Sequence, residues 1–126
     1  MKFRIVNYTV SAVLCVLCCA GCHRGAPEAP ALLPVEQVSP LLQQSFANAD
    51  KETQDQVGQY VTALQSNDWP TAFEHLKELR SMPNLTQDQR AALVRVHQTT
   101  IRQLNDSAEK GDDKAADAMA TYKATK

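Results

Sequence analysis

The chain has 126 residues, with 13 Lys and Arg against 14 Asp and Glu, a formal net charge of −1. So balanced a composition lacks the basic excess on which phosphate recognition depends, which argues against a nucleic-acid partner. Four glycines are too few for phosphate-cradling loops, and the four cysteines all fall between Cys15 and Cys22, so no disulfide or cysteine-bound metal is expected in the rest of the chain.

The first element is a leader. Lys2 and Arg4 give a basic start, and Val10 to Ala20 is an apolar run of roughly the 7 to 15 residues typical of a signal h-region. That is short of the about 20 apolar residues a membrane-spanning helix needs. Small residues, Ala20 and Gly21, stand directly before Cys22. Ala20-Gly21-Cys22 resembles the lipobox of bacterial lipoproteins, where the signal is cut before a cysteine that carries the lipid; Cys19 stands where that motif usually has Leu. The resemblance implies a signal peptide over 1–21, lipid on Cys22, and attachment to membrane in the cell envelope, with the periplasmic face of the outer membrane favoured. Cleavage would remove Lys2 and Arg4, leaving 11 of the 13 basic residues against 14 acidic ones.

The same letters contain a C-x-x-C-H pattern, Cys19-Ala20-Gly21-Cys22-His23, which resembles the haem attachment site of c-type cytochromes and would make His23 an axial ligand. Haem would require Cys19 and Cys22 to persist together in a folded domain. Only signal-like sequence lies upstream, and cleavage before Cys22 removes Cys19. Lipid is therefore the favoured reading, a membrane-attached cytochrome the alternative, and no cofactor is expected.

Residues 22–39 read as the lipidated cysteine and a tether, because Pro27, Pro30 and Pro34, with Pro40 at the edge, favour extended polyproline conformations. At about 3.1 Å per residue such a segment reaches roughly 50 Å. Leu32, Leu33, Val35 and Val38 are more aliphatic than a solvated linker, so part of it is expected to dock on the body.

From 40 to 126 the pattern is helical, and an all-α bundle of about four helices in hairpins is expected. Ser39 as N-cap and Pro40 in the first turn open a helix whose apolar face is Leu42, Phe46, Ala49, Thr53, Val57, Tyr60 and Leu64. One long helix toward Asn67 is favoured; a capping box of Thr53 with Gln56 would instead break it near Asp50. Asp68 caps a second helix with Trp69, Ala72, Phe73, Leu76 and Leu79 inward, ended by Met82-Pro83-Asn84. Thr86 and Gln89 box a third, with Leu93, Val96, His97, Ile101, Leu104 and Ala108 inward and Gly111 as C-cap. Asp112 or Asp113 starts a fourth, burying Ala116, Met119 and Tyr122.

Asn67-Asp68-Trp69 and Gly111-Asp112-Asp113 align as two turn-and-cap units, 44 residues apart by their numbers. Ala72, Leu76, Leu79 and Pro83 resemble the second helix of a tetratricopeptide repeat, whose period is about 34 residues. The resemblance covers about a third of the chain and implies helical-hairpin shape.

Candidate chemistry is sparse. Trp69 could anchor a partner, although a core role fits its place on the apolar stripe better. Arg95 and Arg102 share one side of the third helix and could meet an anionic partner. His97 has no carboxylate at helical spacing to orient it, and His75 sits among Glu74, Lys77 and Glu78 as part of a charged face, so neither points to catalysis or metal binding. Lys126, after Tyr122-Lys123-Ala124-Thr125, resembles the terminal lysine through which murein lipoproteins are joined to peptidoglycan, and implies a structural tether as the alternative function. The favoured function is a non-catalytic interaction or assembly module. So short a body has small net stability, to which an envelope protein partner or self-association would add.

Overall fold

The computed structural model describes residues 31–126, so the expected leader, Cys19, Cys22 and His23 lie outside the described residues. Five helices and no strand occur among those described: α1 Val35–Ser45, α2 Lys51–Gln65, α3 Trp69–Ser81, α4 Gln87–Glu109 and α5 Asp113–Ala124. The class is the all-α one that the apolar period predicts, with five helices in place of four.

The additional helix arises because the expected long first helix divides. Asp50 ends the continuity: its Oδ1 accepts from the Thr53 backbone N–H at 2.9 Å and its Oδ2 from the Thr53 hydroxyl at 2.9 Å. Both bonds favour the charged carboxylate and hold the Asp50 pKa below its usual value. The cap is therefore Asp50, three residues before the expected Thr53 with Gln56. The Gln54 side-chain amide donates to the carbonyls of Ala47 and Ala49, both at 3.0 Å, which ties down the connection.

The start also differs. α1 begins at Val35 after Pro34, and Pro40 lies inside it. An interior proline costs about 3 kcal/mol through its missing donor and its clash. Against that, Val38 and Leu42 are completely buried and Leu33 and Phe46 nearly so, an apolar face whose burial offsets the cost. Leu33 further accepts a hydrogen bond at its carbonyl from the buried Thr99 hydroxyl, 2.7 Å away. The aliphatic end of the proline-rich segment thus belongs to the body.

The two aligned turns have one geometry. Asn67 (φ 54°) and Gly111 (φ 95°) sit in the left-handed region that ends many helices. In the first, the Asn67 and Asp68 N–H groups donate to Leu64 and Ala63; in the second, those of Gly111 and Asp112 donate to Ala108 and Ser107. Each aspartate then caps the next helix, Asp68 through Thr71 N–H and Asp112 through Ala115 N–H. The Thr86 and Gln89 capping box forms in full. The last helix turns a different residue inward than the periodicity predicts: Ala115 and Met119 are buried, Tyr122 is half-buried and Ala116 is exposed.

α2 packs on α3, α3 on α4, and α1 on both α4 and α2, so α1 to α4 make a four-sided bundle, while α5 lies against α4 and α3. Across its diagonal, Tyr60 of α2 meets Thr100 of α4 at 2.8 Å, both fully buried. Thr100 donates its only proton to the Val96 carbonyl at 2.9 Å, so the Tyr60 hydroxyl is the donor in this pair. Burial pushes the Tyr60 phenol up to about 12, partly opposed by the Thr100 hydrogen bond.

Candidate functional site

The face with most chemistry lies where α3, α4 and the end of the chain meet. Phe73, His97 and Tyr122 form a triangle of rings, with centroids 6.3 Å apart for Phe73 and His97, 5.8 Å for Phe73 and Tyr122, and 5.7 Å for His97 and Tyr122. Positive charge rims it. Lys126 Nζ stands 4.7 Å from the Tyr122 ring centre, Lys77 Nζ is 5.5 Å from that of Phe73, and Arg80 Nη1 is 3.2 Å from His97 Nδ1. Arginine can only donate, so His97 Nδ1 accepts and the ring proton of the neutral imidazole sits on Nε2.

Burial, then the charges of Arg80 and Lys126, lower the His97 pKa from 6.5 to about 4. The unfolded chain takes this proton near pH 6.5 and the folded one only near 4, so between these values the unfolded state binds more protons. Stability from neutral His97 is therefore full above about pH 6.5 and lost as pH falls toward 4. Thermal melts should show a midpoint declining over this interval, with a shallower decline in His97→Gln; identical slopes would assign the acid sensitivity to other groups.

A smaller hollow of about 200 Å³ adjoins this face between the end of α3 and the start of α4, lined by Arg80, Leu85, Arg90, Leu93 and Val94. Arg90 Nε donates to the Leu85 carbonyl at 3.2 Å. Arg90, Val94 and His97 fall at i, i+4 and i+7 on α4, one side of the helix, and Arg80 reaches it from α3. A larger hollow of about 450 Å³, between the α1–α2 and α3–α4 connections, is lined by groups already engaged in capping, among them Asp50, Thr86 and Gln89.

The residues singled out from sequence are dispersed. Trp69 is 5% exposed, a core side chain at the start of α3 that offers no surface anchor. Arg95 and Arg102 are both exposed on α4, roughly a third of a turn away from the Arg90, Val94 and His97 side. Lys126 is exposed, its amine over Tyr122. His75 Nδ1 is 3.3 Å from Glu78 on the same helix. Sequence reasoning missed Arg80 and Arg90; the apolar Leu85 between two capped helices is the one local sign that they turn back on each other. Among the described residues, no cluster of three or more His, Cys, Asp and Glu is gathered for a metal, and no helix is long and apolar enough to cross a membrane. Comparison with protein families, curated proteins and solved structures finds no match.

Proposed function

We propose that the chain is a lipid-anchored envelope protein whose helical body is a non-catalytic interaction module. The observation that carries this reading is the series of basic start, short apolar run and Ala20-Gly21-Cys22, followed by a proline-rich spacer. The body adds two exposed arginines, Arg80 and Arg90, around one hollow between α3 and α4, suited to recognition by charge.

Palmitate labelling tests the anchor: wild type should incorporate label and Cys22→Ala should not, and equal labelling of the two removes the lipid reading. Intact mass of the same material separates the alternatives, because lipid, haem on Cys19 and Cys22, and a peptidoglycan fragment on Lys126 add different masses.

A further inference from the structure

We propose that the cleft between the end of α3 and the start of α4 binds a peptide carboxylate flanked by a small aliphatic side chain, with Arg80 and Arg90 holding the anion over a floor of Leu85, Leu93 and Val94. The inference deepens the interaction-module reading and rests on it, but it does not depend on Cys22, so the labelling and binding experiments can fail separately.

Charge complementarity is the first argument. Ion pairs among the described residues join Lys51 to Asp55 and Lys77 to Glu74, and His75 Nδ1 lies 3.3 Å from Glu78; neither Arg80 nor Arg90 has a carboxylate partner there. Two guanidinium groups around one hollow repel each other, and an anion between them relieves that repulsion. Each is also held in place by a single bond, Arg90 to the Leu85 carbonyl and Arg80 to His97 Nδ1, which leaves four of its five N–H donors free. Oriented guanidinium forks match the two oxygens of a carboxylate.

The floor supplies the second argument. Val94 is 53% exposed, one of two large hydrophobics so exposed among the described residues, and it borders this hollow. A bare anion such as phosphate would leave it in water, whereas a carboxylate with a methyl group beside it covers Val94 while its oxygens meet the arginines. A hollow of about 200 Å³ suits a short aliphatic group of this kind.

The probe is N-acetyl-Ala-Ala with a free carboxylate, titrated into the full chain in detergent and followed by the NMR signals of arginine Nε–Hε and the His97 ring. Arg80 and Arg90 signals should shift saturably, while the carboxamide of the same peptide and inorganic phosphate each bind about tenfold more weakly or worse. Arg80→Gln and Arg90→Gln should each weaken the peptide about tenfold with an unchanged melting midpoint, since both side chains are exposed. Arg90→Lys, which keeps charge but loses the fork, should recover affinity only in part. Equal binding of acid and amide, phosphate binding as tightly as the peptide, or unchanged affinity in both glutamine variants would each overturn the proposal.

Discussion

Phe73→Ala is expected to cost about 3 to 5 kcal/mol, a large part of the whole stability of a small domain. Phe73 is buried, and its ring packs on His97 of α4 and on Tyr122 of α5, so truncation opens a void where three helices converge. α5 buries only Ala115 and Met119 besides its half-buried Ala118 and Tyr122 and depends on that junction. Helicity followed against temperature should show a broad, early transition. An unchanged midpoint would mean that Phe73 belongs to a docking surface and carries no weight in the core.

The second large effect is an asymmetry. Thr100→Val keeps shape but leaves the buried Tyr60 hydroxyl with no acceptor, an orphaned donor that costs about 1 to 3 kcal/mol. Tyr60→Phe removes the donor, while Thr100 keeps its own bond to the Val96 carbonyl, so about 1 kcal/mol is expected. Denaturant melts of both variants and of the double variant test the assignment. The double should be no worse than Thr100→Val alone, because it leaves nothing unpaired; strictly additive losses would contradict the pairing.

The buried faces of α2, α3 and α4 were legible as recurring apolar positions, and the caps at Asp68, Thr86 and Asp112 as side chains that accept from the backbone three residues on. The division at Asp50 was obscured because Phe46, Ala49, Thr53 and Val57 keep helical spacing straight through the turn. The early start of α1 was hidden by Pro40, whose local cost is outweighed by burial of Val38 and Leu42 against distant parts of the chain. Nothing in the local sequence marks Thr99 and Thr100 as buried, since their partners, Leu33 and Tyr60, lie 66 and 40 positions away. Arg80 and Arg90 likewise meet only because the turn after α3 folds α4 back along it, which no single-helix pattern contains. The proposed function rests on residues 1–22 more than on the body, because a targeting signal would be written in local sequence.

The bond from Thr99 to the Leu33 carbonyl gives the body a mechanical character. Any pull transmitted along the chain into Ala31 arrives first at this bond and then at α1, which rests mainly on α4. Load applied at the end of a helix strips it one turn at a time, whereas the hairpin of α2 and α3, closed by its own tight turn, lies outside the line of force. α1 would therefore act as a sacrificial coupling: it yields and lengthens under tension once the Thr99 bond on α4 has broken, while the cleft at Arg80 and Arg90, at the end of α3 and the start of α4, includes no residue of α1.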